Sequence, residues 1–133
     1  MPDPRVLVVD DNPLNLELAR YVLEAGGFVV DEAATVDEAW TRLRAMRPDV
    51  MLVDIQLPGT DGLTLVRAVR ATPGLQDIPV IAFTAYAMQG DEQRFRAAGC
   101  DGYLAKPIDV RSFAARVRAY LRSPWSSPPP DPA

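Results

Sequence analysis

The 133-residue chain contains no histidine and only one cysteine, Cys100. Without histidine, the Ser-His-Asp and Cys-His catalytic arrangements, the usual zinc sites and a histidine that phosphorylates itself are all excluded. A single cysteine cannot form an internal disulfide, which is typical of proteins from a reducing compartment, and we expect Cys100 to be a small buried apolar residue. If the chain takes part in phosphoryl chemistry, the donor is therefore another molecule.

Long apolar runs and a strong excess of charge are also missing. No segment approaches the roughly 20 apolar residues of a membrane span, and the start Met-Pro-Asp-Pro-Arg lacks the apolar stretch of a signal peptide. The net charge is -4 and no basic run stands out, so a nucleic-acid-binding surface is not expected. We expect a cytoplasmic protein whose partners are other proteins, with no membrane or nucleic-acid contact.

Lysine is almost absent: Lys106 is the only one, and every other basic residue is arginine. The ammonium of lysine is a compact, mobile point charge, so its use at one position indicates a task for which the planar guanidinium is poorly suited. Carboxylates next to apolar runs indicate its partners. Asp10 and Asp11 directly follow one such run, and Asp54 directly follows another.

The composition predicts a single α/β domain. With 48% apolar residues, the chain can form one well-packed core and is too short for two ordinary domains. Short apolar runs alternate with segments of helical period, which predicts βαβ units, a parallel sheet, and five strands with five helices. We assign residues 1–122 to this domain and interpret the proline-rich segment 123–133 as a tail or linker stub.

Turn and capping signals predict where these elements begin and end. Asn12 is the predicted N-cap of the first helix, and Thr35 with Glu38 forms a capping-box pattern before the second. The loop 54–61 contains a Pro-Gly pair and is predicted to hold no regular element. The predicted strands cover 5–9, 28–31, 50–53, 80–83 and 102–104, and the predicted helices cover about 13–26, 35–46, 62–71, 89–98 and 110–121.

The first helix carries two apolar stripes. At about 100° per residue, Leu14, Leu18 and Val22 form the stripe that we predict to face the core. Leu16 and Leu23 point the opposite way and form a second stripe. That stripe suits either the helix of a partner protein or a central helix that is buried on most sides.

Five polar side chains follow the predicted strands: Asp10, Asp11, Asp54, Thr84 and Lys106. Because the carboxyl ends of parallel strands meet at one edge, these residues should share one rim. Two carboxylates ~4 Å apart repel by about 4 kcal/mol at an effective dielectric of 20, so three acids require a cation besides the single lysine. Oxygen ligands favour Mg²⁺ or Mn²⁺. Singly, each residue has an ordinary role in a turn or strand, but together they indicate a metal-assisted phosphoryl site.

Four segments resemble the CheY-like receiver domain of bacterial two-component response regulators: Val-Leu-Val-Val-Asp-Asp-Asn at 6–12, Asp-Ile-Gln-Leu-Pro-Gly at 54–59, Thr-Ala at 84–85 and Tyr-Leu-Ala-Lys-Pro at 103–107. The resemblance covers about residues 4–122. It implies a doubly wound, flavodoxin-like (βα)5 sandwich with the parallel sheet order 2-1-3-4-5. Shorter stretches are similar to single-domain, DivK-like regulators and to receivers attached to hybrid kinases.

The resemblance implies that Asp54 accepts a phosphoryl group from the phosphohistidine of a sensor histidine kinase or a histidine phosphotransfer protein. It also implies that Asp11, Asp54 and the backbone carbonyl of Gln56 bind Mg²⁺ directly, with Asp10 acting mainly through water. Such a domain is a signalling module in a phosphorelay rather than an enzyme with an external substrate. It catalyses only its own phosphorylation and dephosphorylation.

The resemblance further implies a conformational switch. Lys106 would contact one phosphoryl oxygen and Thr84 another, and Tyr103 would turn inward when Thr84 moves. The face made by the fourth helix, the fifth strand and the fifth helix would then bind a downstream protein. Gln56 and Tyr86 would border the path by which water reaches the phosphoryl group.

Three other functions fit parts of the pattern. A haloacid-dehalogenase-like hydrolase also uses Asp, Thr, Lys and Mg²⁺, but it needs a second aspartate two residues beyond its nucleophile, where this chain has Gln56. A flavodoxin-like cofactor binder cradles phosphate in its first loop, where Asp10 and Asp11 would repel it. A receiver that serves as a binding scaffold without phosphorylation is the third alternative.

Overall fold

A computed structural model describes residues 3–57, 59–85 and 90–121. The predicted tail 123–133, the predicted start of the fourth helix at Gln89, and Tyr86 lie outside the described residues. Within the described ranges, no helix combines the length and apolarity needed to cross a membrane.

Strands and helices alternate along the chain as predicted. In chain order the elements are β1 Arg5–Val9, α1 Pro13–Ala25, β2 Val29–Ala33, α2 Val36–Ala45, β3 Val50–Asp54, β4 Gln56–Leu57, β5 Thr60–Asp61, α3 Gly62–Arg70, β6 Val80–Thr84, α4 Asp91–Ala98, β7 Gly102–Ala105 and α5 Phe113–Ala119.

Five of these strands form one parallel sheet in the order β2-β1-β3-β6-β7. Counting only these five strands, the order is 2-1-3-4-5, so the predicted doubly wound fold is confirmed. Helices α1 and α5 pack on one face and α2, α3 and α4 on the other. The central strands β1, β3 and β6 are buried on both faces, which is why their sequences are continuous apolar runs rather than alternating ones.

The predicted helix caps are present. The Asn12 side chain accepts hydrogen bonds from the backbone amides of Leu14 and Asn15, and the Thr35 hydroxyl accepts one from the amide of Glu38. Each bond satisfies an amide that the first turn of a helix leaves without a backbone partner. The caps therefore set the starts of α1 and α2 from short local sequence patterns.

The prediction that the loop 54–61 holds no regular element is wrong. Strands β4 and β5 form a two-stranded antiparallel hairpin, with Gln56 opposite Asp61 and Leu57 opposite Thr60. Gly59 has a φ of 71°, a left-handed conformation that glycine adopts readily, so the glycine marks the turn of the hairpin. Strands this short carry no detectable alternation of apolar residues, which is why the sequence pattern missed them.

The predicted core stripe of α1 is wrong for Leu14 and Leu18, although its third member, Val22, is buried as predicted. Leu16 and Leu23 are buried in the core, together with Ala19, whereas Leu14 is 73% exposed and Leu18 is 38% exposed. Both stripes are apolar, so periodicity alone could not distinguish them. Ala19 lies on the buried stripe, where its small side chain suits a close approach between the helix and the sheet.

Several element boundaries differ from the prediction by one to three residues. The second strand begins one residue later and continues through Ala33, because its last residues pair with β1 despite their polar character. Phe28 instead belongs to the turn after α1, where its amide donates to the Leu23 carbonyl. Helix α5 begins at Phe113 rather than near 110, after a turn whose amides bond to Asp109.

Candidate functional site

Three charged side chains meet at the carboxyl ends of neighbouring strands. Asp10 follows β1, Asp54 ends β3, and Lys106 follows β7. Because side chains alternate between the faces of a sheet, each should project on the same face as the residue two positions earlier. Those residues belong to the core under α1 and α5: Val8, Leu52 and Leu104. Strand alternation thus brings both acids and the lysine to one edge of the same face.

The ammonium of Lys106 bridges the two acids. Its Nζ lies 2.9 Å from Asp10 Oδ2 and 3.2 Å from Asp54 Oδ2. Both carboxylates are buried and only 15% of the lysine side chain is exposed, so water screens these ion pairs weakly. The site holds its single lysine between two carboxylates in an environment where charge interactions are strong.

The second oxygen of each buried carboxylate accepts a backbone hydrogen bond. The amide of Asn12 donates to Asp10 Oδ1 at 2.9 Å, and the amide of Gln56 donates to Asp54 Oδ1 at 3.0 Å. These amides belong to the residues two positions further along, so the turns after β1 and β3 orient the carboxylates. The lysine and the backbone together fix both acids.

The acids also form a candidate metal site. One carboxylate oxygen from each of Asp10, Asp11 and Asp54 lies within 4.8 Å of the others. Asp11 is exposed and Asp54 is buried, so the cluster opens to solvent on one side. Carboxylate oxygens are the ligands that Mg²⁺ prefers, and the residues present therefore fit such an ion.

Burial raises the pKa of Asp54 above its ordinary value. The amide of Gln56 opposes this shift, the negative charge of Asp10 adds to it, and Lys106 opposes it through its charge and hydrogen bond. The net direction is upward because the loss of hydration outweighs the partners that favour the ionised form. Three clustered carboxylates also outnumber the one lysine at the site, and a divalent cation would balance their charge.

Gly62, the first residue of α3, lies directly against the backbone of Asp54. A methyl group at this position would collide with the Asp54 carbonyl oxygen, while the Gly62 amide donates to the Ile55 carbonyl at 2.8 Å. Sequence analysis missed this role. The signal was a glycine at the start of an apolar helix, directly after the capping residue Asp61, where a better helix former is expected.

Thr84 and Tyr103 lie on the opposite face of the sheet from the acids. Thr84 pairs in register with Ala105, and Tyr103 pairs with Ala82, so the two are neighbours on the face covered by α4. Thr84 is buried at the rim, and its carbonyl accepts a hydrogen bond from the Lys106 amide at 2.8 Å. Tyr103 is 38% exposed, and its ring lies 6.0 Å from that of Phe95 in α4.

All the predicted site residues that the structure describes therefore lie at or near one end of the sheet. Gln56 contributes its amide to Asp54, and its side chain is exposed in β4. The arrangement offers a buried carboxylate, acidic oxygens that suit a divalent ion, and an ammonium that can balance added negative charge. Such a set can hold a phosphoryl group, whose three free oxygens need neutralising.

Comparison with known proteins agrees with this geometry. The family model of the response regulator receiver domain matches residues 6–118. The polar-differentiation response regulator DivK of Brucella anthropi is 43% identical over 116 residues, which cover 87% of this chain and 94% of that protein. The range matched by the family model includes the acids, the threonine and the lysine of the site.

Two solved structures extend the comparison to three dimensions. The chemotaxis protein CheY4 of Vibrio cholerae has a TM-score of 0.83 at 27% identity, over 87% of this chain and 97% of that one. The receiver domain of the sensor histidine kinase PA1611 from Pseudomonas aeruginosa PAO1 has a TM-score of 0.81 at 32% identity, over 91% of this chain and 99% of that one. The latter structure has a magnesium ion coordinated in its active site cleft.

Proposed function

Because the chain belongs to the response regulator receiver domain family, a family of signalling domains, we propose that it accepts a phosphoryl group on Asp54 from a partner's phosphohistidine. The observation that carries the proposal is the Lys106 ammonium, held between the buried carboxylates of Asp10 and Asp54. An ammonium in this place can pair with the free carboxylate before the reaction and with a phosphoryl oxygen after it. The reaction depends on Mg²⁺, and Mn²⁺ can replace it.

The acidic cluster holds the metal. Asp11, Asp54 and the backbone carbonyl of Gln56 bind it directly, and Asp10 acts mainly through water. When bound, Mg²⁺ supplies positive charge to the acids and to the incoming phosphoryl oxygens. Two observations support this role: the spacing of the three carboxylates, and the magnesium ion in the cleft of the related Pseudomonas receiver domain.

The transfer itself needs a nucleophile and charge stabilisation. An oxygen of the Asp54 carboxylate attacks phosphorus in line, a new O–P bond forms, and the P–N bond to the donor imidazole breaks with its electrons remaining on nitrogen. Lys106 contacts one phosphoryl oxygen and the Thr84 hydroxyl donates to another. Both residues lie near the rim in the unphosphorylated state.

Phosphorylation then changes a surface. Thr84 moves toward the phosphoryl group, Tyr103 turns inward, and the face formed by α4, β7 and α5 binds a downstream protein. Supporting this proposal, Tyr103 is half exposed and packs beside Phe95 on the same face of the sheet as Thr84. The switch thus connects the rim to α4 through two neighbouring side chains.

The phosphoryl donor is a histidine kinase or a histidine phosphotransfer protein that docks beside the rim. Leu14, Leu18 and Tyr21 are exposed on α1 and lie within about 60° of one another at about 100° per residue. They line an open depression of 430 Å³ with three charged residues at its border. An exposed apolar stripe that begins one turn from Asp11 suits a helix of the donor protein.

A scaffold that is never phosphorylated would not need the buried lysine and the clustered acids, so that alternative is weaker. A hydrolase would need a second aspartate where this chain has Gln56. We therefore assign the chain to signalling in the cytoplasm, where it catalyses only its own phosphorylation and dephosphorylation.

Phosphoryl uptake tests the proposal directly. With ³²P-labelled histidine kinases, or with acetyl phosphate, the wild type should be labelled on Asp54 in the presence of Mg²⁺, and EDTA should abolish labelling. Asp54→Asn should take up no label, whereas Asp31→Asn, which alters an acid paired with Arg5 away from the rim, should be labelled like the wild type. Label on another carboxylate of the wild type would refute the assignment.

Metal binding can be measured separately by thermal unfolding. Mg²⁺ at ~100 times its dissociation constant should stabilise the wild type by about 2.7 kcal/mol. Asp11→Ala removes an exposed ligand and leaves the buried acids in place, so it should lose this response. An equal response in both proteins would exclude the acidic cluster as the metal site.

A further inference from the structure

Phe83 lies near the carboxyl end of its strand, on the same face of the sheet as the charged residues of the site. It is level with Asp54 in the pairing of β3 with β6, and it belongs to the core under α1 and α5. On this face, Asp10, Asp54, Phe83 and Lys106 therefore lie at or just beyond the carboxyl ends of four neighbouring strands. Three of the four are charged, and the fourth is an aromatic ring.

The Lys106 ammonium lies over that ring. Its Nζ is 4.9 Å from the centroid of Phe83, within the distance at which a cation is attracted to the face of an aromatic ring. The same Nζ contacts Asp10 and Asp54. The ammonium is thus held by two carboxylates and by one neutral group.

The ring is rigidly placed. Phe83 is fully buried, its centroid lies 5.7 Å from that of Phe113 in α5, and β3 and β7 flank its strand on both sides. The backbone of Lys106 is also fixed, because its amide donates to the Thr84 carbonyl. The contact between ammonium and ring is therefore set by the sheet and the core.

A neutral group beside the ammonium can hold it in place when the charge of the acids is directed elsewhere. When Mg²⁺ binds the acids, part of their negative charge is directed to the metal, and their attraction for the ammonium weakens. The ring attracts the cation without adding negative charge and without competing for the metal. We propose that Phe83 is a positioning residue that keeps the Lys106 ammonium at the rim, ready for a phosphoryl oxygen; its role in transfer rests on the function proposed above.

The single lysine makes the contact directly measurable. Lysine labelled with ¹³C and ¹⁵N yields one side-chain system, that of Lys106, without further assignment. In the wild type, the ε-methylene and ammonium signals should be shifted upfield by the ring current of Phe83, with and without Mg²⁺. Phe83→Leu fills much of the same space without a ring face, so it should lose the shift.

Phosphoryl uptake provides the second measurement. Phe83→Leu should slow uptake from acetyl phosphate by about 2- to 30-fold, the range that corresponds to a cation over an aromatic ring. The Mg²⁺-dependent rise in melting temperature should be unchanged, because the variant keeps all three acids. If Phe83→Leu does not fold, Phe83→Met, which also lacks a ring, serves for the same comparison.

Phe28→Leu is a matched control. Phe28 is a buried aromatic residue of the same core, and the Arg118 guanidinium lies 5.0 Å from its ring centroid at a position remote from the rim. This variant loses a ring and a cation contact of the same kind. It should keep the wild-type lysine signals and the wild-type rate of uptake.

Two outcomes separate this proposal from the proposed function. If the wild type takes up phosphate but Phe83→Leu matches it in lysine shift and rate, the role of Phe83 is overturned and the function stands. If the wild type takes up no phosphate from any donor, the proposed function fails and the role of Phe83 in transfer fails with it.

Discussion

At the scale of single residues, the charge of Asp54 opposes folding. Burial raises its pKa, so the native protein binds a proton there more tightly than the unfolded chain does. The free energy of unfolding therefore falls as the pH rises from the ordinary aspartate pKa of about 4 through the raised native value, and it stays lower above that value. A phosphoacceptor that must be ionised and buried is thus a local source of instability.

Asp54→Asn should accordingly be more stable than the wild type at pH 7 in Mg²⁺-free buffer. The amide removes the buried charge, and Lys106 keeps its ion pair with Asp10. Each kcal/mol gained should raise the melting temperature by roughly 4 °C. Thermal unfolding across the pH range measures the difference, which should shrink below about pH 4, where aspartate is protonated in both states.

Asp31→Asn is again the control. This acid lies in a partly exposed ion pair with Arg5, so its removal should not raise the melting temperature. Mg²⁺ should reduce the difference in melting temperature between Asp54→Asn and the wild type, because it stabilises the wild type. An Asp54→Asn protein that is equally or less stable at pH 7 without metal would show that the charge is well compensated.

At the scale of elements, α1 has two apolar faces with different tasks. The face that includes Leu16 and Leu23 packs on the sheet, and the face that includes Leu14 and Leu18 is exposed. Exposed apolar side chains contribute little to folding, so their presence beside the acidic rim is consistent with binding of a partner.

Two leucine truncations on this helix should separate folding from docking. Leu23→Ala should lower the free energy of unfolding by about 2–5 kcal/mol, because a fully buried side chain leaves a cavity. Leu18→Ala should change it by less than about 1 kcal/mol. Urea unfolding of both variants measures the difference.

The same variants should diverge in phosphoryl transfer. Leu18→Ala should slow transfer from a cognate kinase while leaving uptake from acetyl phosphate unchanged, because the small donor needs no docking face. A Leu18→Ala protein that unfolds as readily as Leu23→Ala would show that the exposed stripe supports the fold instead.

At the scale of the whole molecule, Cys100 reports on global opening. Its thiol is buried between the end of α4 and β7, and burial raises its pKa to about 12. The reactive thiolate is therefore scarce as well as inaccessible in the native state.

Disulfide exchange at Cys100 at pH 8 should be at least about 1,000-fold slower in the native protein than in urea, as expected for a domain stable by 5 kcal/mol or more. Mg²⁺ should slow the reaction further, because a ligand of the native state lowers the unfolded population. The rate of thiol modification by a chromogenic disulfide measures both effects. Native and unfolded rates within a factor of about ten would mean that the thiol is accessible without unfolding.

Most of the fold and the core of the site could be predicted from the sequence, because the patterns that indicate them are short and local. The apolar runs predicted the five strands of the parallel sheet, and Asn12 and Thr35 predicted the starts of two helices. The meeting of Asp10, Asp54 and Lys106 followed from one rule, that parallel strands bring their carboxyl ends to the same edge. The location in the cytoplasm and the proline-rich tail stay predictions.

Only the tertiary structure decided which apolar stripe of α1 is buried, that β4 and β5 pair, that Gly62 lies against Asp54, and that the Phe83 ring lies beneath Lys106. Each of these depends on a neighbour that is distant in sequence or on pairing too short to leave a pattern. The periodicity of apolar residues shows that a helix face is apolar, but it does not show whether the sheet or a partner protein covers that face. The contact between Phe83 and Lys106 arises from the register of two strands, and register is set when the whole sheet packs against its helices.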